Sequence, residues 1–443
     1  MAPMKFLLGA VFLLALPAAA AASPSTPKTG ITFIEDDYAK ALGKARAEKK
    51  PLFIEAWAPW CHTCRAMRST VFPDDALAPE AGRFVFFAWD TEKAQNAGLK
   101  KKYPVQALPS FFVVDPATET PALRWVGGAT VPQMRRILDD GARALAARAT
   151  AGLQAELRKA DRLYAAGSDK EAAAAYRAVL GKAPKDWKPW GRAAESLLFA
   201  LQRTGDAAGC AAFAREAWDR LRTTSSSANV AAIGLECARG LPASDTGRVT
   251  TVAGFTKACR EVLDSKVSVA PDDRAAVYDA LLSEREEAKD EAGKREIAVR
   301  MAAFLEQEAS RAQPPDARAS LDSWRITAYL AAGTPEKAVE ALQRSEKELP
   351  DDYNPPARLA LVYKEMKRWD EALAASDRAL AKVYGPRKLN VLRVRIDIYA
   401  GMGDKDAAKK TVEESLAYAE ALPEGQRSEQ VIASLRKKLG GMS

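Results

Sequence analysis

The sequence predicts an α/β domain followed by an all-α region built from repeated helical hairpins. Three observations carry this. Short apolar runs alternate with amphipathic ones over residues 31–148. Strand signals vanish from about residue 149, where alanine, leucine, lysine and glutamate dominate. Within residues 149–443 a spacing of bulky and small residues recurs.

The first part reads element by element. "ITFIED" (31–36) is a short strand. "DDYAKALGKARAEKK" has helical spacing, with Tyr38, Ala41, Leu42 and Ala45 on one face. "PLFIEAW" (51–57) is a buried strand, and the segment after Cys61 reads as helix. "RFVFFAW" (83–89) is apolar without alternation, as a strand covered on both faces is. "EKAQNAGLKKKY" is a helix. "SFFVVD" (110–115) and "ALRWVGG" (122–128) are strands joined by a turn containing Pro116 and Pro121. "VPQMRRILDDGARALAAR" is a closing helix with Pro132 in its first turn. Strands alternating with helices predict a mostly parallel sheet flanked by helices.

In the second part, Tyr329, Tyr363 and Tyr399 lie 34 and 36 residues apart. Nine residues after each stands a small residue: Ala338, Ala372 and Ala408. Two earlier units repeat the spacing with Leu163, Gly167 and Ala172, and with Leu201, Gly205 and Cys210. Pro184 and Pro350 fall where the second helix of a unit must stop. A bulky residue on one helix packs on the next, and a small residue lets the two backbones approach. Each hairpin alone leaves an apolar face open, so stacking is obligatory. This pattern resembles the tetratricopeptide repeat (TPR) family over roughly 153–222 and 317–420. It is weak between 223 and 315, where "TTSSSANV" and "RAQPPDAR" read as loops. The resemblance implies protein or peptide ligands held in the groove of the array.

The N-terminus carries Lys5, an apolar run from Phe6 to Leu16 and an alanine tract with an A-x-A site at Ala20–Ala22. This predicts a secretory signal peptide over 1–22, and hence a periplasmic or secreted chain. No later stretch reads as a membrane span. The net charge of +8 comes from 66 basic and 58 acidic residues. Both signs alternate along the chain, which describes a solvated mixed surface and excludes a nucleic-acid patch.

Five cysteines make an odd count. Cys61 and Cys64 form a C-x-x-C, with His62, the chain's one histidine, between them. Structural zinc wants four ligands, usually from two such pairs. No second pair exists, so no metal and no cofactor is expected. Cys210 stands in the small-residue slot of its repeat and reads as core. Cys237 and Cys259 lie on neighbouring expected helices and form a possible structural disulfide, which would leave Cys210 over.

A C-x-x-C that follows a strand and opens a helix puts its first sulfur at the helix N-terminus. Free N–H groups and the positive dipole end stabilise a thiolate there. "LFIEAWAPWCHTC", "LKKKYPVQALPS" and the pair Gly127–Gly128 ending the last strand resemble the thioredoxin family in order and distance. The resemblance covers about 31–148. It implies the thioredoxin fold, a mixed sheet flanked by helices, and a redox-active Cys61–Cys64 disulfide. Cys61 would be the exposed attacking thiolate and Cys64 the resolving thiol. Glu55, six residues before Cys61, would be the buried acid that shuttles a proton to the inner cysteine. Pro109 would be a cis-proline facing the dithiol, with Leu108 offering its backbone to a substrate strand. Trp60 borders the same surface. A protonated His62 favours the Cys61 thiolate.

Together these readings predict an exported thiol–disulfide oxidoreductase with a reductive role, acting on protein thiols or disulfides. Its repeats would recruit partners, and a separate donor would supply electrons. The alternative is a repeat scaffold for a cell-envelope complex, with the first domain as a docking or redox-sensing module.

Overall fold

The computed structural model describes residues 30–146 and 152–442. The leader expected over 1–22 and the junction expected at 148/149 lie outside the described residues.

The first region holds β1 (Ile34–Glu35), α1 (Tyr38–Glu48), β2 (Leu52–Trp57), α2 (His62–Ala66), β3 (Val85–Asp90), α3 (Leu99–Lys102), β4 (Ser110–Asp115), β5 (Thr120–Val126) and α4 (Val131–Ala146). The five strands form one sheet in the order β1-β3-β2-β4-β5. β1 and β2 run parallel to β3, and β4 pairs antiparallel with both β2 and β5. The sheet is therefore mixed. Residue-level alternation suggested a mostly parallel sheet, but the short turn between β4 and β5 makes a hairpin, and a hairpin is antiparallel. The expected helix over "EKAQNAGLKKKY" is only a 3-10 turn at Ala94–Asn96 and the four-residue α3.

Side-chain alternation along β2 and β4 builds two cores. Phe53, Phe111 and Val113 pack with Met134, Ile137 and Leu138 of α4. Leu52, Ile54, Phe112 and Val114 pack with Ala41, Leu42 and Ala45 of α1. Covering both faces is why these strands read as continuous apolar runs.

The second region begins with helices α5 (Leu153–Ala165), α6 (Asp169–Lys182), α7 (Trp190–Thr204), α8 (Ala207–Leu221), α9 (Ser227–Arg239) and α10 (Arg248–Asp264). It continues through α11 (Pro271–Glu287), α12 (Glu291–Arg311), α13 (Pro315–Ala319), α14 (Asp322–Ala332) and α15 (Pro335–Glu348). It closes with α16 (Asn354–Glu365), α17 (Trp369–Leu380), α18 (Arg387–Met402), α19 (Lys405–Ala421) and α20 (Glu429–Gly440). Consecutive helices pack on one another along the chain, in a helical-repeat arrangement.

The hairpin turns α5–α6, α7–α8, α14–α15 and α18–α19 each place a glycine at positive φ: Gly167, Gly205, Gly333 and Gly403. Lys367 and Lys289 take the same conformation between α16 and α17 and between α11 and α12. The small slots Ala172, Ala338, Ala372 and Ala408 are buried, as the packing argument requires. The weak interval 223–315 is helical throughout α9–α12 and continues the stack. Its turns lack a glycine at positive φ, so the sequence pattern fades where the packing does not.

α5 packs on β5, so the stack starts against the edge of the sheet. Later helices return to the first region, where α11 and α13 pack on α2. Among the described residues, no helix is long and apolar enough to cross a membrane.

Candidate functional site: the dithiol and its cover

β2 ends at Trp57, and a short turn carries the chain to Cys61, the N-cap of α2. The Cys61 sulfur accepts from the Cys64 backbone N–H at 3.1 Å. The two cysteines are joined as a disulfide, with Cα atoms 5.2 Å apart. Trp57, Ala58, Trp60 and Leu108 pack around them. The Leu108–Pro109 peptide is cis, and the Pro109 carbonyl accepts from Gly127 N–H at 3.0 Å. That bond ties the proline loop to the end of β5. Beside it Gly128 packs close to α2: a Cβ there would stand 3.1 Å from the Thr63 methyl.

Glu55 is fully buried in β2. Its Oε2 accepts from Arg68 at 2.8 Å, and its Oε1 has no hydrogen-bond partner among the described residues. Burial raises its pKa to about 7, against the opposing pull of the Arg68 cation. Arg68 also lies 4.2 Å over the Trp57 ring and bonds Glu35 at 2.5 Å. A carboxyl with its pKa raised to about 7 can take and return a proton near neutral pH.

The expectation of an exposed Cys61 does not hold. Cys61 is 4% and Cys64 0% exposed. The helical repeats bind the residues on both sides of the first cysteine. Asn354 Nδ2 donates to the Pro59 carbonyl at 3.1 Å, and Arg358 donates to the Trp60 carbonyl at 3.4 Å. Trp60 packs with Tyr353, Ala379, Val383 and Val391, and its indole N–H donates to Glu92 at 2.8 Å. His62 Nδ1 and Thr63 Oγ1 each meet Asp272 of α11 at 2.6 Å. Arg65, 7% exposed, is held by Asp316 at 2.9 Å and by Asp352. Further along, Tyr384 bonds Asp90, Gln426 Nε2 donates to the Thr91 carbonyl at 2.9 Å, and Lys101 pairs with Glu424 at 2.8 Å.

Two clefts flank α2. One, of about 620 Å³, is lined by Trp57, Pro59, Arg65, Arg68, Tyr353 and Tyr384. The other, of about 350 Å³, is lined by Thr63, Met67, Gly128, Val269, Asp272 and Leu321 among others.

The structural disulfide is a correction. Cys210 bonds Cys237, with Cα atoms 5.9 Å apart, and Cys259 is free and buried. Cys210 is in the first turn of α8 and Cys237 in the last turn of α9. Antiparallel neighbours bring those ends together, so Cys210 is both a small-slot residue and a bonded one. Burial, reinforced by Glu284, raises the Cys259 thiol well above its ordinary range. Among the described residues, no cluster of three or more histidine, cysteine, aspartate or glutamate side chains could hold a metal.

The structure thus brings Cys61, Cys64, Trp60, His62, Leu108 and Pro109 into one neighbourhood, with Glu55 on the adjacent strand. It adds Asp272, Asn354 and Arg358, Trp324, whose indole N–H donates to Asp272 at 2.7 Å, and Arg387, whose guanidinium lies over the Trp60 ring, none of which a local motif announces. Asp272 and Asp273 after Pro271 look like ordinary first-turn acids of a helix.

Fold and site together define a thioredoxin-like domain joined to a helical-repeat array. Residues 38–142 match the family model described as a thioredoxin-like domain. An 86-residue stretch is 30% identical to the thiol:disulfide interchange protein DsbD of Yersinia enterocolitica, covering 19% of this chain and 15% of that protein. A 64-residue stretch is 33% identical to the chloroplastic thioredoxin M4 of Arabidopsis thaliana, covering 14% of this chain and 31% of that one. The chain therefore spans less than a third of either relative. Among solved structures, a tetratricopeptide repeat protein from Parabacteroides merdae aligns over 65% of this chain and 98% of its own, at 12% identity and TM-score 0.42. A putative disulphide-isomerase from Bacteroides thetaiotaomicron aligns over 27% of this chain and 97% of its own, at 30% identity and TM-score 0.24.

Proposed function

We propose that this chain is an exported thiol–disulfide oxidoreductase that exchanges disulfides with protein substrates, with a reductive role in the periplasm. The carrying observation is the Cys61–Cys64 pair at the start of α2, beside the cis Leu108–Pro109 peptide. In the reductive direction the Cys61 thiolate attacks a substrate disulfide. A mixed disulfide forms, and the departing substrate thiolate takes up a proton. Cys64 then gives its proton to Glu55 and attacks the mixed disulfide. The second substrate sulfur leaves as a thiolate and takes up a proton, and the Cys61–Cys64 pair remains as a disulfide, its two electrons having passed to the substrate. A separate thiol donor resets it. Once the repeat cover over the site loosens, Trp60, Leu108 and Pro109 border the surface a substrate strand would meet, and the repeats recruit the partner.

The test is insulin reduction in dithiothreitol. The wild-type chain accelerates turbidity and Cys61→Ser does not; equal rates for both remove the enzyme reading. Cys64→Ser traps mixed disulfides with partners from a periplasmic extract, and N-terminal sequencing of the mature chain checks removal of residues 1–22.

The burial of both cysteines beneath the repeats favours a second reading. In it, the repeats form a cell-envelope scaffold, and the dithiol senses redox state by changing how the two parts hold each other. Insulin turbidity at the blank rate, together with a redox-dependent change in domain contact, would select it.

A further inference from the structure

We propose that Asp272, supplied by the repeat region, is a positioning residue of the dithiol site. It holds both residues that separate Cys61 from Cys64 and acts on Cys61 through the His62 imidazole. The inference rests on the thiol–disulfide reading and adds to it: the site is completed by a helix more than two hundred residues away in sequence.

One carboxylate takes three donors. Asp272 Oδ1 lies 2.6 Å from His62 Nδ1 and 2.7 Å from the Trp324 indole nitrogen. Its Oδ2 lies 2.6 Å from Thr63 Oγ1. The Trp324 ring meets the His62 ring edge-on at 4.7 Å. An indole N–H only donates, and an ionised carboxylate only accepts. Asp272 therefore stands as the anion, and His62 Nδ1 must carry a proton. Burial would raise the Asp272 carboxyl, but the His62 charge and the bonds from His62, Thr63 and Trp324 outweigh it and hold the pKa below the usual carboxylate value.

The other charges near His62 do not compete for it. Asp273 is pushed well above its ordinary range by burial, with Asp272 and Glu195 adding to the rise. Asp279 is raised by burial, against Arg239 and His62. Arg65, one turn along α2, is held by Asp316 and Asp352. A buried anion bonded to Nδ1 fixes the tautomer and orientation of the imidazole whose residue directly follows Cys61 in the chain, and through that ring it can act on the sulfur that must ionise.

The experiment uses the reduced, untagged full chain. Iodoacetamide labelling of the Cys61 peptide is followed against pH by mass spectrometry. Asp272→Asn should move the profile up by about one pH unit, a tenfold slower reaction on its rising limb. In a His62→Gln background, Asp272→Asn should add less than about twofold, because coupled residues are not additive. Trp324→Phe, which loosens the contact but keeps the anion, should leave the profile in place. An unmoved profile in Asp272→Asn, an equal shift without His62, or an equal shift in Trp324→Phe overturns the proposal. If Asp272→Asn does not fold, nitrogen-15 spectra of the wild-type chain decide, since it has one histidine. Nδ1 protonated at neutral pH supports the proposal, and Nδ1 bare overturns it. Neither readout uses a protein substrate, so a failed insulin assay and a failed Asp272 test remain distinguishable.

Discussion

The guanidinium of Arg387 lies 4.9 Å from the ring centre of Trp60, the residue immediately before Cys61. Glu92 ties the two together: it accepts from the Trp60 indole at 2.8 Å and from the Arg387 backbone N–H at 2.7 Å. The surface beside the dithiol is thereby part of an internal interface. Reaching Cys61 with a large reagent requires that interface to loosen, and this can be measured.

Gly385 stands at φ 62°, and a Cβ there would run into the Glu92 carbonyl. Gly385→Ala should lift the α17–α18 connection from the thioredoxin-like domain. A cost of about 1.4 kcal/mol to the closed state gives about tenfold more open molecules. Labelling of reduced Cys61 by a polymer-linked maleimide should rise by that factor, with iodoacetamide labelling changed much less. Equal acceleration of both reagents would count against a covering role.

Arg65→Ala should act in the same direction. It leaves Asp352 half-buried without its cation and frees Asp316. Protection of α2 amides against hydrogen exchange should fall while protection of β2 and β4 persists. Loss of protection across the whole sheet would mean that Arg65 supports the fold itself.

Glu55 makes stability depend on pH. Its pKa rises from the ordinary 4.5 to about 7 on folding, so between those values the native chain binds the extra proton. Stability therefore falls as pH rises through this window and levels off above it, by about 3 kcal/mol in all. Glu55→Gln should flatten the decline in Tm between about pH 4.5 and 7. A slope unchanged by the substitution would assign it to other groups.

The disulfide partners are testable directly. Non-reducing digestion should yield a Cys210–Cys237 cross-link and an unlinked Cys259 peptide. Closing a loop at a separation of 27 residues is worth roughly 3–4 kcal/mol in the chain-entropy account, so Cys210→Ala/Cys237→Ala should lower Tm clearly. Cys259→Ala should leave the cross-link intact.

The small-residue slots carry the stacking. Ala338 and Ala372 are fully buried. Leucine at either should cost roughly 1–3 kcal/mol by overpacking, read as a lower Tm. Ala292→Leu, on an exposed position of α12, should change stability by less than about 0.5 kcal/mol.

The elements were legible because their signals are local. "SFFVVD" is β4 to the residue, and the apolar runs of β2 and β3 reflect a sheet covered on both faces. The C-x-x-C at a strand-to-helix turn marks the site for the same reason, while Pro109 was marked by the resemblance of its segment to the thioredoxin family. Where local signals misled, a neighbour decided. The 94–102 segment broke into short turns. Cys237 paired with α8 instead of α10, since nothing in the residues says which flanking helix brings its end alongside.

The sequence by itself determined an α/β region with a dithiol at a helix start and a helical-repeat region after it, because periodicity, spacing and small-residue slots act within one hairpin; the thioredoxin-like character of the first region came from the resemblance of its motifs. Only the tertiary structure decided that Cys61 is covered and that Asp272 reaches His62. Those contacts join residues hundreds of positions apart, and their geometry is the accumulated result of every helix packing in between. A small change in any one turn angle would carry α11 away from α2 while leaving each local pattern intact.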